Sequence, residues 1–354
     1  MANFYITRGM VKRSAQIGGD SLDAIVDEQI EAASREIDRL TSRRFIPLTA
    51  AKCYDWPQKD PRRAWVLYLE EDLLSVSSLT KDGTDVTAIA STDYFLEPSV
   101  LGPPYSRIEI DLGSTSFYSA KDTHQRQVVV TGSWGYSNDT VAASQLNGAL
   151  STTTATAMSL DDGSKADVGD TLLLESEQVF INARTSEDLG VNTHGTTGAM
   201  TASMTDKTLT VDGAPTNAVV AGEVLRIGSE RLYVEAINST TSFEVTRAYD
   251  GSALAAHSIG DDVFAFRSYT IQRGVNGTTA ATHVDNTAAS RYQAPADIRN
   301  LCLALAVGYY QATRGGWTGI VGGPEGQTET RMSALNRLRK DVQAQYRRYA
   351  IGAV

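Results

Sequence analysis

Histidine is the side chain most often used as a metal ligand, and it can act as a general base near neutral pH. The chain contains four, at His124, His194, His257 and His283. No two have the His-x-x-x-His or Glu-x-x-His spacing that brings two ligands to one helix face. His257 and His283 occupy equivalent positions of an internal repeat. This favours a role in the fold, such as a hydrogen bond to a turn carbonyl, over metal binding or catalysis.

A group of aspartates is the second candidate, because carboxylates are ligands that calcium prefers. The group consists of Asp161, Asp162, Asp167 and Asp170. Its spacing is not that of an EF-hand. The preferred interpretation is therefore an exposed acidic turn, with a calcium site as the alternative.

Two glycine-containing segments do not match the motifs of known reaction centres. Residues 319–326 have no preceding strand and contain Pro324, unlike a phosphate-binding loop. The segment Gly132-Ser133-Trp134-Gly135 lacks the spacing of a nucleophile elbow. The sequence therefore predicts no catalytic, cofactor-binding or metal-binding residue and no cofactor. It favours a structural or interaction protein over an enzyme.

Composition limits the function further. The chain has 354 residues and a formal net charge of −10, which makes the whole molecule a poor ligand for polyanions. The charge is uneven: residues 147–292 carry 9 basic and 18 acidic side chains, whereas 293–354 carry 8 basic and 4 acidic. The basic end is interpreted as a solvated helix face or as a surface that docks on an acidic partner or a neighbouring subunit. Nucleic-acid binding is the least favoured alternative, because no platform of aromatic and basic residues accompanies it.

Cysteine content and hydropathy bear on the compartment. Cys53 and Cys302 are too few for a disulfide framework or a four-cysteine zinc site. The first residues lack the apolar region of a signal peptide, and the longest apolar run is shorter than a membrane span. We therefore expect a soluble protein, made in a reducing cytoplasm, that does not contact a membrane.

Hydrophobic periodicity predicts helices near both ends of the chain. Apolar residues recur at steps of three and four over 21–44, which predicts an amphipathic helix capped by Asp20 or Ser21. Two more helices are predicted at about 295–314 and 329–349.

Short strand-like runs fill 52–132. The predicted fold class is α+β. Residues 1–146 and 293–354 form a helical core with short strands, and their N- and C-terminal parts pack together. Residues 147–292 form an all-β insertion.

The insertion contains a repeat. Residues 243–257 match 269–283 at an offset of 26, and residues 169–181 match 222–234 at an offset of 53. The two front halves thus precede the two back halves, whereas a tandem duplication would alternate them.

This order predicts two nested β modules. The inner module, at about 205–266, sits in a loop of an outer module formed by about 156–185 and 267–292. Loop-closure entropy grows slowly with loop length, so such an insertion is tolerable. Two modules side by side with exchanged strands are the alternative.

Several segments together carry a resemblance to a known family. They are Ile30–Asp38 followed by Thr41–Pro47, Asp72–Leu79, Tyr94–Pro98, Pro104–Ile110 and Val130–Tyr136. In this order they resemble head–tail connector proteins of tailed bacteriophages, also called adaptor or head-completion proteins. The resemblance covers about 20–138 and the helical end from about 293. The insertion departs from the small members of that family.

The resemblance implies a structural protein of the virion neck, at the head–tail interface, that is assembled in the host cytoplasm. It implies a homo-oligomeric ring, typically a dodecamer, that lies between portal and tail, extends the DNA channel and helps to retain and pass the genome. The implied partners are the portal protein, a tail terminator or stopper protein, and double-stranded DNA that passes without sequence recognition. An acidic body suits a channel along which DNA must slide.

Two sets of residues are predicted to make the contacts of such a ring. Portal docking is assigned to the basic last helix, at Arg331, Leu335, Arg337, Leu338, Arg339, Lys340, Val342, Arg347 and Arg348. Contact between subunits is assigned to a helix that is apolar nearly all round, at Leu301, Leu303, Leu305, Val307, Tyr309 and Tyr310. The alternative function is a tail- or neck-associated adhesin whose β insertion binds a host surface or capsid ligand.

Overall fold

The computed structural model describes residues 3–58, 63–83, 87–121, 123–194, 199–314 and 327–348, with only the backbone for 327–333. The helices are α1 (Arg8–Ala15), α2 (Asp23–Thr41), α3 (Ala296–Arg314) and α4 (Gln327–Tyr346). The strands of the first sheet are β1 (Leu48–Tyr54), β2 (Val66–Lys81), β3 (Thr87–Ile89), β4 (Tyr94–Glu97), β5 (Tyr105–Ile110) and β6 (Val128–Trp134). Those of the second are β7 (Thr140–Gln145), β8 (Ala157–Ser159), β9 (Thr171–Leu174), β10 (Glu177–Asn192), β11 (Thr208–Thr210), β12 (Val224–Ile227), β13 (Glu230–Ser239), β14 (Ser242–Thr246), β15 (Asp262–Gln272) and β16 (Ala288–Tyr292).

The prediction of a helical core with short strands is wrong, because the described chain is mostly β. Two antiparallel sheets, of 6 and 10 strands, account for most of its regular structure. Strand β2 explains the error. It runs for 16 residues, but register shifts at Tyr68/Leu73, Leu73/Ser75 and Val76/Ser78 interrupt the alternation of apolar and polar residues. Such bulges make one long strand read as several short ones in the sequence.

The first sheet has its own apolar core. Its strands lie in the order β1-β6-β2-β5-β4, with β3 paired to β2. Leu67, Leu73 and Trp134 are fully buried in it, and the Trp134 indole Nε1–H donates to the Ala50 carbonyl at 2.9 Å. Strand β4 is an edge of this sheet.

The helices form a second core from both ends of the chain. Helix α2 buries Val26, Ile30 and Ile37 on one side and packs against α3 and α4. Its N-cap residue is Leu22, which provides no side-chain cap. The predicted cap Asp20 instead forms an ion pair with Arg231 of the second sheet.

The second sheet consists of two copies of one six-stranded module. The strand order is β8-β15-β10-β9-β16-β7 in the outer module and β11-β14-β13-β12-β15-β10 in the inner module. The two modules contain equivalent hairpins. In β9–β10 the pair next to the turn is Leu174 and Glu177, and in β12–β13 it is Ile227 and Glu230. Strands β10 and β15 are shared between the modules. One half of each strand belongs to the outer module and the other half to the inner module. The outer module also includes β7, so it begins before residue 147.

Each module has a separate core, and one turn in each binds the N-terminal segment. The equivalent turn residues Asp250 and Asn276 both have positive φ, 52° and 54°. The Asn276 amide exchanges hydrogen bonds with Asn3 at 2.6 and 2.9 Å. Asp250 accepts from Lys12 Nζ at 3.1 Å, and its carbonyl accepts from Gly19 N–H at 2.7 Å. Residues 3–20 therefore connect both modules to the helical core.

Candidate functional site

One face of α4 packs on the chain's own helical core. Val342 and Tyr346 are buried there, and Leu335 packs against the same cluster. The Tyr346 hydroxyl donates to the Asp297 carboxylate at 2.9 Å. Leu335 and Val342, predicted as anchors for the portal, are therefore engaged within the chain.

Ion pairs fix the same helix at two points. Arg339 Nε lies 2.8 Å from Glu36 Oε1 on α2. Arg348 Nη1 lies 2.7 Å from Asp72 Oδ1 on β2. Burial raises the pKa of Asp72 although Arg348 and Arg43 oppose the shift. These two predicted docking residues thus hold α4 in place.

The opposite face of α4 is basic and open to solvent. The exposed predicted residues are Arg337, Leu338, Lys340 and Arg347. The Arg337 side chain is 86% exposed and lies 3.9 Å from Asp341, a weak surface pair. Arg331 belongs to the residues whose side chains lie outside the described part. The described part of this face therefore presents Arg337, which is only weakly paired, and Lys340 to solvent.

The helix predicted to contact other subunits is packed within the chain. Leu301, Leu305 and Tyr310 are buried, and Leu303, Val307 and Tyr309 are partly buried against the same cluster. Helix α3 contacts α1, α2 and α4. This packing explains why α3 is apolar nearly all round, without a neighbouring subunit.

Two equivalent glutamates each sit at the centre of a buried polar cluster. Glu230 forms a bidentate pair with Arg247 at 2.8 Å and 2.8 Å, and its Oε2 lies 2.8 Å from His257 Nε2. The backbone N–H groups of Ala248 and Ala255 donate to the same carboxylate at 2.9 and 3.1 Å. Every carboxylate lone pair thus has a donor.

The outer module repeats this cluster with Glu177. The carboxylate accepts from Arg273 at 2.7 and 2.7 Å, and its Oε2 lies 2.9 Å from His283 Nε2. The N–H groups of Gly274 and Ala281 donate at 3.0 and 3.0 Å. The predicted bond of the two histidines to a turn carbonyl is therefore wrong in detail, because each histidine binds a carboxylate.

The electrostatics of these clusters argue for a structural role. Burial by itself raises the pKa of Glu177 and Glu230. Hydrogen bonds from the paired arginines, the backbone N–H groups and the histidines outweigh it and lower each pKa to about 2. A permanently ionised and fully bonded carboxylate is a poor general base. In the inner module the cluster joins the loop that follows β14 to the first residue of β13. In the outer module it joins the loop that follows β15 to the first residue of β10.

The aspartate group accepts hydrogen bonds from backbone N–H groups, both nearby and distant in sequence. Asp162 accepts from Ser164 N–H at 2.7 Å, and Asp167 accepts from Gly9 N–H at 3.0 Å. Asp170 is buried rather than exposed, and burial raises its pKa to about 7. Among the described residues, no three potential metal ligands lie together.

A cleft of about 1010 Å³ lies between the N-terminal segment and the second sheet. Its walls include α1, the turn before α2, and residues from both β modules. Eight lysine or arginine side chains and four aspartates line it. Within the cleft, the rings of Tyr233 and Tyr249 stack with centroids 5.1 Å apart.

Comparisons with known proteins identify no relative. No protein-family model, no curated protein and no solved structure matches the chain. In the described part of the chain, no helix is long and apolar enough to span a bilayer.

Sequence reasoning missed the two glutamate clusters and the cleft. The repeats did contain a signal for the clusters. Glu177 aligns with Glu230 in the first pair of matching segments. In the second pair, Arg247 aligns with Arg273 and His257 with His283. Nothing in the sequence signals the cleft, because its walls come from residues more than 200 positions apart.

Proposed function

We propose that the protein is a structural component of a tailed-phage virion, a connector that lies in a ring between portal and tail. The ordered sequence resemblance over about 20–138 suggests this role. The structural observation that carries it is the division of α4 into two faces. Val342 and Tyr346 pack inward, whereas Arg337 and Lys340 point to solvent.

The fixed position of α4 makes its basic face suitable for docking. Arg339 and Arg348 hold the helix on α2 and β2 at 2.8 and 2.7 Å. A rigid surface loses less conformational entropy on binding than a mobile one. Its charge would steer an acidic partner and set the orientation of the complex. We propose the portal protein as this partner, with Leu338 as an apolar contact.

Contacts between subunits are proposed at the β4–β5 hairpin. Val100 and Leu101 at its tip are 95% and 82% exposed, and among the described strands β4 is paired on one side only. An apolar tip on an open edge strand favours association with another chain. The proposed subunit contact therefore uses this hairpin and not the α3 residues, which pack within the chain. The acidic body would let double-stranded DNA pass without adhering.

Assembly on a portal tests the proposal. The purified protein is mixed with the portal ring of the same virion and examined by native mass spectrometry and electron microscopy. The proposal expects one ring of this protein, typically with twelve copies, on one end of the portal. A protein that stays unbound at micromolar concentrations of both components would overturn it. Val100→Asp with Leu101→Asp should weaken ring formation and leave the monomer folded.

A further inference from the structure

The cleft between the N-terminal segment and the second sheet has an excess of positive charge. Eight cations and four carboxylates line it, and three carboxylates outside the lining, Asp27, Asp162 and Asp170, pair with Arg8, Lys165 and Arg291. Concave walls of low dielectric constant concentrate such a field and raise the local concentration of anions. The charge therefore points to a ligand that carries negative groups.

Part of this charge is paired only weakly within the described part of the protein. Among the described residues, no carboxylate forms an ion pair with Arg13, whose side chain is exposed at the rim. Lys165 is 59% exposed and lies 3.4 Å from Asp162. Arg291 lies 3.9 Å from Asp170, whose pKa is raised by burial. These three cations are available to an acidic ligand.

The floor of the cleft offers a different chemistry. Arg231 and Lys12 share the Asp250 carboxylate, at 2.5 and 3.1 Å, and Arg231 also pairs with Asp20. Donors and acceptors thus alternate over a short distance, which suits hydroxyl groups because each hydroxyl can both donate and accept. Tyr249 adds a half-buried aromatic ring that an apolar ring face can contact.

The combination discriminates between classes of anion. A polyphosphate backbone presents acceptors only, and the four aspartates would repel it. A neutral sugar would leave the rim cations unmatched. We propose that the cleft binds an acidic oligosaccharide. Its carboxylate or sulfate groups pair with Arg13, Lys165 and Arg291, and its hydroxyls bind Asp250 and Arg231.

Calorimetry with defined probes tests this proposal on the full chain. The probes are a hexagalacturonate, a sialylated oligosaccharide and a sulfated oligosaccharide, with a neutral maltohexaose and a dT6 oligonucleotide as comparisons. At least one acidic sugar should bind with a Kd below about 1 mM, and at least tenfold more tightly than maltohexaose and dT6. Failure of all three acidic sugars, or stronger binding of maltohexaose or dT6, would overturn the proposal.

Two variants locate the binding. Arg13→Glu with Lys165→Glu should weaken the acidic sugar at least tenfold, and Tyr249→Ala should weaken it severalfold. The control, Arg126→Glu with Lys207→Glu, makes the same change of net charge at exposed positions outside the cleft. An equal loss in the control pair would show non-specific attraction and contradict the cleft as the site. Portal binding is unaffected in this account, so the test is independent of the ring.

Discussion

Arg348 Nη1 lies 2.7 Å from Asp72 Oδ1, and this ion pair joins the end of α4 to strand β2 across 276 positions of sequence. Both side chains are nearly buried, at 9% and 8% exposure. Arg43 binds the other carboxylate oxygen at 3.0 Å. The orientation of the basic helix thus depends on a carboxylate that belongs to the first sheet.

Removal of this arginine should destabilise the protein. Arg348→Met leaves Asp72 buried with one cation instead of two, and we expect a loss of about 2 kcal/mol in the free energy of unfolding. Urea denaturation measures it. Arg337→Met is the matched control, because that side chain is 86% exposed and should change stability by less than about 0.5 kcal/mol. Equal effects of the two variants would show that the pair does not fix α4.

The two glutamate clusters should act on separate modules. Glu230→Gln leaves Arg247 and His257 without their anion, and we expect a loss of about 3 kcal/mol, confined mainly to the inner module. Hydrogen exchange should show faster exchange over about 205–257 while the outer module stays protected, since the cores are separate. Glu177→Gln should give the reverse pattern. Uniform loss of protection in both variants would contradict two independent modules.

Asp170 should make stability depend on pH. Burial raises its pKa to about 7, above the usual value in an unfolded chain. Its contribution is therefore fully present below about pH 4 and is lost as pH rises through 7. Asp170→Asn keeps an oxygen for the Asp167 N–H and removes the charge. The variant should melt higher than the wild type at pH 8, and the difference should become small only below about pH 4. A lower melting temperature at pH 8 would contradict this account.

A glycine in the outer module should be sensitive to a single methyl group. Gly277 has φ +75°, and a Cβ there would lie 2.0 Å from the Thr49 carbonyl oxygen of β1. Gly277→Ala should cost several kcal/mol, because backbone strain adds to a clash with backbone. Gly190→Ala is the control, since φ is +68° but nothing lies within 4 Å, and it should cost about 1 kcal/mol. Thermal melting compares them, and similar losses would exclude the predicted clash.

The sequence predicted those elements whose signal is local. Helix α2 lies within the predicted 21–44, and α3 lies at Ala296–Arg314, because each shows apolar residues at steps of three and four. Helix α1 was missed. It has only 8 residues, and contacts from elsewhere in the chain, such as Arg8 with Asp27, help to hold it.

The docking face could be predicted only in part. Arg337 and Arg339 are equivalent in the sequence, but Arg339 binds Glu36, about 300 positions away, and Arg337 remains exposed. Only the tertiary contact separates an arginine that holds the helix from one that stays exposed to solvent. The length of β2 was missed for a related reason, because its bulges are defined by the neighbouring strands.

The most direct test of the account is portal binding by a variant with the basic face of α4 reversed. Arg337→Glu with Lys340→Glu changes two exposed side chains and should weaken binding at least tenfold, about 1.4 kcal/mol, with melting temperature unchanged. Biolayer interferometry against immobilised portal measures the Kd, with Arg126→Glu plus Lys207→Glu as the charge-matched control. Loss of affinity only in the α4 variant is the predicted result. Undiminished binding of that variant would contradict docking through α4.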